Sequence, residues 1–198
     1  MIAVMTTVMK GGRAVRGALA RALLIGLCVI GLCFIAYGAM IPAKAWIAQI
    51  LLDRAFDQSL SKHRPLKPWF WADMTPVARI TLPRLDVREI VLSGGSGQAM
   101  AFGPTLMPLG NPHVSVMAAH RDTHFAFLQK VRKGDEIEVQ SIDGRKRRYR
   151  ITGFQIVRWD RFAYPRDPAG ALLALTTCYP FGTTEHGPLR FVAWAETQ

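Results

Sequence analysis

Residues 135–158 read DEIEVQSIDGRKRRYRITGFQIVR, and the fold class turns on them. Two runs rich in β-branched and aromatic residues, 135–142 and 147–158, are divided by Asp143-Gly144, a dipeptide suited to tight turns. This is the pattern of a β-hairpin. The basic run Arg145 to Arg148, with Arg150, sits just past the turn. Such a run can contact nucleic acid or anionic lipid, but a solvated hairpin accounts for it with less. Outward from the hairpin the same grammar continues, with candidate strands at 78–83, 88–92, 113–119, 171–177 and 189–196 and turns at Gly94-Gly95 and Gly134-Asp135. His124 to Val131 reads as one short helix. No helix-period segment beyond Ala78 is long enough to build a βαβ unit. Residues 78–198 are therefore expected to be mainly β, a closed barrel or a sandwich of seven or eight strands, and a barrel has the merit of leaving no strand edge open.

Upstream the grammar changes. Residues 63–77 (HRPLKPWFWADMTPV) hold Pro65, Pro68 and Pro76, which break helix and strand alike and mark a linker. Trp69, Phe70 and Trp71 within it are expected to pack on the domain or to lie near a membrane interface. Trp46 to Lys62 places its apolar residues at an amphipathic helical spacing. Before that, residues 22–43 carry no charge at all, and Ala22 to Ile41 would span about 30 Å as a helix, the thickness of a bilayer core. The run is longer than the core of a signal peptide, so an uncleaved signal anchor is expected.

Charge sets the topology. The 198-residue chain has 25 Lys and Arg against 14 Asp and Glu, a net charge of +11. The first 50 residues hold five basic groups (Lys10, Arg13, Arg16, Arg21, Lys44) and no acid, leaving 20 basic against 14 acidic groups, a net +6, for the rest. Four of the five precede the apolar run, which places the N-terminus in the cytoplasm and the C-terminal domain outside it. Nucleic acid is not expected as a partner of an exported domain. At 50% hydrophobic and 20% charged, the chain is too apolar for a disordered protein and too charged for a polytopic membrane protein. The expected division is a basic cytoplasmic leader at 1–21, a transmembrane anchor at 22–43, an amphipathic helix and Pro-rich linker at 44–77, and a β domain at 78–198.

Cys28 and Cys33 lie in the apolar run, which leaves Cys178 as the only thiol of the exported domain. Unpaired there, it calls for an explanation other than a disulfide. Leu172 to Thr177 reads as a strand running into Cys178, and Tyr179-Pro180 stops it. The thiol thus sits at a strand end, where side chains meet solvent. A thiol nucleophile needs a base beside it, and His120 ends the strand Val114 to Ala119 in the same way. His63, His113 and His186 fall in linker, strand-start and loop positions suited to solvated side chains, while His124 is a surface or supporting residue. No Cys or Glu stands at ligand spacing from His120 and His124, so no metal is expected. Arg190, twelve residues after Cys178 at the start of the last strand, can donate hydrogen bonds to the oxyanion of an acyl-transfer intermediate. Two strand-end groups of matched chemistry and an arginine make a coherent acyl-transfer site.

Three segments then carry a resemblance: Ala118-Ala119-His120-Arg121-Asp122-Thr123-His124-Phe125, Leu175-Thr176-Thr177-Cys178-Tyr179-Pro180-Phe181 and Pro188-Leu189-Arg190-Phe191-Val192. In order and wording they resemble the three catalytic motifs of the sortases, membrane-anchored cysteine transpeptidases. Ile80 to Leu85 resembles that family's first strand, Gly110-Asn111 precedes the histidine strand, and Gly134-Asp135-Glu136-Ile137 follows in its usual place. The likeness covers roughly residues 68–196, and the Pro68 to Asp73 lead-in and the His-Arg-Asp-Thr-His-Phe wording are most similar to the proteobacterial class GN branch, close to class D. Ala119 departs from the glycine the family commonly has there, and its methyl would tighten the substrate groove.

The resemblance implies an eight-stranded barrel with short helices behind one N-terminal transmembrane helix, in the inner membrane with the catalytic domain periplasmic. It implies Cys178 as nucleophile, His120 as general acid and base, Arg190 as stabiliser of substrate and oxyanion, and Thr177 as a substrate-binding neighbour. The partners would be a secreted protein with a C-terminal LPxTG-like sorting signal and an amine acceptor. Calcium sites of some members need acidic loop clusters that this sequence lacks, so no metal or other cofactor is expected. Another exported cysteine enzyme fits less well. An L,D-transpeptidase would be expected to carry a Ser-His-Gly-Cys type of segment, and a papain-like protease puts cysteine before histidine, whereas His120 here precedes Cys178 by 58 residues. A non-catalytic anchored β-module that binds a protein partner, with Cys178 buried and inert, is the remaining alternative.

Overall fold

The computed structural model of the protein describes residues 2–95, 97–183, 185 and 187–198, with side chains from residue 19 onward. His186 therefore lies outside the described residues. The chain divides into two compact units, one up to Ile47 and one from Ala48 to Gln198.

The described residues of the first unit are all helical, as part of α1 (Ile2–Lys62), which continues through Pro42. Its apolar side chains from Leu19 to Tyr37 are all exposed, Leu23 at 76% and Phe34 at 73% among them. A core helix buries at least one face, so these residues are not part of a protein core. The helix is long and apolar enough to cross a membrane by length and composition.

In the second unit eight strands close into a barrel, as expected: β1 (Pro76–Leu82), β2 (Val87–Leu92), β3 (Thr105–Leu106), β4 (Val114–Ala118), β5 (Glu136–Ser141), β6 (Lys146–Arg158), β7 (Leu172–Cys178) and β8 (Leu189–Thr197). The order around the barrel is β1-β2-β3-β4-β7-β8-β6-β5, with β5 pairing back onto β1. The 135–158 stretch is the β5–β6 hairpin, in register from Glu136↔Arg150 to Gln140↔Lys146. Gly144 takes φ +86 at its turn, where a side chain would be strained, and Asp143 caps the backbone N–H of Arg145. The basic run is laced to the partner strand by Lys146–Glu138 and Arg150–Glu136 ion pairs on the exposed face. That is the solvated hairpin.

Inside the barrel, Ile80, Leu82, Val91, Met117, Ile137, Ile151, Leu173, Leu175, Ala193 and Ala195 form the main core. Strand β7 explains its own composition. Leu173 and Leu175 enter this core, while Leu172 and Ala174 join Val114, Val116 and Val192 in a second cluster on the opposite face. Both faces are covered, so the strand reads as a continuous apolar run instead of an alternation. A third cluster joins Leu52, Phe56, Ala72 and Met74 to Ile90 and Leu92, with Trp69 and Phe102 against it. The C-terminal part of α1 and the Pro-rich segment are thus packed onto the barrel. Arg79 of β1 reinforces that seam, pairing with Asp53 and Asp57 and lying 4.2 Å over the Phe56 ring.

Two short elements have no counterpart in the expectations from sequence: α2 (Gly97–Met100) and the two-residue β3. Gly103 lets the chain pass between them, because a Cβ there would meet the Ile90 carbonyl oxygen at 2.6 Å. The helix expected at His124 to Val131 is a 3-10 turn at Ala126–Lys130.

Candidate active site

Three neighbouring strands set the site. β4 and β7 run parallel, with Val114↔Leu172 through Ala118↔Thr176 in register. The pairing persists past β4, because the Ala119 N–H donates to the Thr176 carbonyl at 3.3 Å and the Thr177 hydroxyl donates to the Ala119 carbonyl at 2.7 Å. His120 is the next residue. β7 and β8 are antiparallel, and their register puts Cys178 directly opposite Arg190. The Tyr179 N–H closes that ladder on the Leu189 carbonyl at 3.0 Å.

His120, Cys178, Arg190 and Thr177 all line one cavity of about 330 Å³. His120 is exposed, Cys178 is a free thiol of intermediate exposure, and Thr177 is buried. A nucleophile, an imidazole and a guanidinium around one opening can attack a carbonyl, move a proton and donate to an oxyanion. Most of the rest of the wall is apolar, with Met100, Met107, Leu109 and Val116 joined by Trp159 and Phe162 of the β6–β7 connection, and Thr176 adds a hydroxyl. A cavity of this size, mostly apolar with a few polar groups, is within the range of ligand-binding pockets. Ala119, where the resemblance would put glycine, also lines the cavity and is at the same time a buried member of the main core.

Two of the expected residues are engaged in ways the sequence does not reveal. The Thr177 hydroxyl proton is committed to Ala119, so this side chain keeps only acceptor capacity and its first effect is to hold the strand that carries His120. Arg190 donates through Nη1 to the carbonyls of Gly187 and Leu189, at 2.9 and 2.8 Å, which fixes the guanidinium at the mouth of β8. His63 and His113 are exposed and line no part of this cavity. Among the described residues, no group of three or more His, Cys, Asp and Glu is placed to hold a metal ion.

His124 turns out to be tied down. It is mostly buried and its Nδ1 lies 2.8 Å from Glu89 Oε2 on β2. Burial works against the imidazolium, but the Glu89 hydrogen bond and charge, helped by the Ala101 backbone, outweigh it and raise His124 above its ordinary pKa. A raised folded value means that the ion pair's stabilisation is complete below the unfolded pKa of 6.5 and is lost as pH rises through the folded one. The thermal midpoint of the wild type relative to Glu89→Gln should therefore be highest near pH 5 and shrink as pH rises past 6.5. Thermal melts of both proteins across that range check this, and a difference independent of pH refutes it.

A family model described as Sortase domain matches residues 80–198, more than half of the chain. Among solved structures, sortase C-1 from Actinomyces oris is similar at 27% identity and a TM-score of 0.53, over 62% of this chain and 74% of that one. Sortase A from Corynebacterium diphtheriae is similar in fold, at 19% identity and a TM-score of 0.55, over 65% of this chain and 63% of its own. No curated protein matches the sequence.

Proposed function

This chain belongs to the sortase family of cysteine transpeptidases, and on that footing we propose that it cleaves an LPxTG-like sorting signal through a thioester on Cys178 and transfers the acyl group to an amine. The observation that carries the proposal is the convergence of Cys178, His120 and Arg190 on one cavity from the ends of three paired strands. In the first half-reaction the Cys178 thiolate adds to the Thr-Gly carbonyl carbon. The C–N bond breaks, His120 gives its proton to the departing amine, and the new C-terminus is held as a thioester. In the second, an incoming amine adds to the thioester, His120 takes its proton, and the thiolate leaves. Water in the amine's place gives hydrolysis. Arg190 stabilises the oxyanion in both halves.

The apolar walls, with Trp159 and Phe162 on one side, are suited to the leucine and proline of such a signal. The protein is proposed to sit in the inner membrane, with residues 1–21 cytoplasmic, 22–43 as the anchor, and the segment from 44 with the catalytic barrel outside the cytoplasm. The arrangement of basic residues around the apolar run supports this orientation. The wording around His120 and the Pro68 to Asp73 lead-in favour the proteobacterial class GN branch, close to class D.

The test uses the full-length chain in detergent, an LPxTG-type peptide library and a small amine acceptor, with mass spectrometry of both protein and peptides. An acyl adduct on Cys178 and a peptide joined to the amine are expected. A reactive thiol without adduct refutes the sorting-signal substrate, and an inert thiol without adduct favours the binding module.

A further inference from the structure

We propose that Arg121 is a positioning residue: it holds the β7–β8 connection, the segment between the nucleophile and Arg190, in register with His120. The inference rests on the transpeptidase reading for its kinetic part only. Arg121 follows His120 directly and is 8% exposed. Its Nη1 donates to the Pro180 carbonyl at 3.0 Å and its Nη2 to the Glu185 carbonyl at 2.6 Å. Those carbonyls lie 59 and 64 residues away along the chain, both between Cys178 and Arg190. A buried guanidinium is costly unless its donors are matched, and here two backbone oxygens supply the match, one for each arm of the planar fork.

The same connection is gripped a second time, by Arg190 through the Gly187 carbonyl, while its bond to Leu189 stays within β8. Two arginines thus hold one connection, Arg121 from the histidine side and Arg190 from the strand that follows. Their effects on the three reacting groups differ. Cys178 is held by the β7–β8 ladder itself, through its pairing with Arg190 and the Tyr179 N–H bond to Leu189. That ladder does not involve Arg121. The alignment of His120 with the connection does, because among the described contacts the side chain next to His120 makes both of these cross-site bonds. Loss of Arg121 should therefore leave the nucleophile intact and disturb its alignment with His120 and Arg190, a fault that appears in kcat more than in KM. A cavity of about 270 Å³, lined by Arg121, Asp122, Ala126, Gln129, Phe181 and Gly182, lies beside it, so a shorter side chain enlarges an existing hollow without emptying a packed core.

The test compares wild type, Arg121→Met and Arg121→Lys as full-length protein in detergent. For Arg121→Met, kcat should fall about 10- to 100-fold with KM changed about twofold or less. Arg121→Lys should recover part of the loss, since an ammonium keeps the charge and can donate to a carbonyl but lacks the fork that serves both at once. Amide hydrogen exchange should quicken in peptides covering Tyr179 to Leu189 and stay unchanged in the β5–β6 hairpin. Unchanged exchange in that connection overturns the proposal, as does an unchanged kcat. If wild-type protein joins no peptide to an amine, the transpeptidase reading fails, and the exchange comparison decides by itself whether Arg121 holds the connection.

Discussion

Cys178→Ala should reduce peptide joining to the uncatalysed background while leaving the barrel folded. The reason for the first half is chemical: the thioester route has no other thiol in the barrel, since the remaining cysteines, Cys28 and Cys33, lie in the apolar run of residues 22–43. The second half follows from where the side chain points. Cys178 opens onto the cavity, whereas its strand neighbours Leu173 and Leu175 fill the barrel core. Removing the sulfur enlarges a solvent-accessible space and creates no sealed void, so the cost is about 1 kcal/mol or less, a shift of a few degrees in Tm. Thermal melting and mass spectrometry on the same sample check both halves. Residual joining at more than background would remove Cys178 from the mechanism. A collapsed melting transition would instead make it a structural residue.

His120→Ala should lower kcat/KM about 10²- to 10⁴-fold, the range for loss of a general acid and base. His120 is exposed, so its removal should leave Tm unaltered. The diagnostic lies in the leaving group. A sorting peptide carrying an activated phenyl ester in place of the Thr-Gly amide expels a group that needs no proton. With it, formation of the Cys178 adduct by His120→Ala should recover most of the loss, while transfer to the amine, which still needs a base, should stay slow. Mass spectra taken during the reaction would then show the acyl-enzyme accumulating. An equal deficit with amide and ester would overturn the acid role assigned to His120.

How much of this was legible in the chain varies by element. The β5–β6 hairpin was readable because its turn residues and strand residues are local signals. The strand-end places of His120 and Cys178 were readable because each ends a run of apolar residues, and the parallel pairing of β4 with β7 then brings those ends together. β3 was not, because two residues carry no periodicity and exist as a strand only through partners on β2 and β4. Met100 and Met107 reach the cavity from around that unread region. Arg121 was hidden for a similar reason: its acceptors are backbone carbonyls, which have no residue signature, on a distant stretch of chain. Glu89 and His124 lie 35 residues apart, and only the barrel makes them a pair. The helix of residues 46–62 was expected from its spacing, but its role in the barrel's third cluster was not, because an amphipathic face does not name what covers it.

The hairpin turn at Asp143-Gly144 has a further meaning for how the protein can be divided. On the chain it falls between the histidine and the cysteine, and in space it is an exposed tip whose flanking strands pair with each other. A single nick there leaves His120 on one fragment and Cys178 with Arg190 on the other. Neither fragment then holds a whole site, and β4 and β7, whose pairing aligns the site, belong to different pieces. The enzyme is in this sense two incomplete polypeptides joined by a removable link, so catalysis reports their reunion.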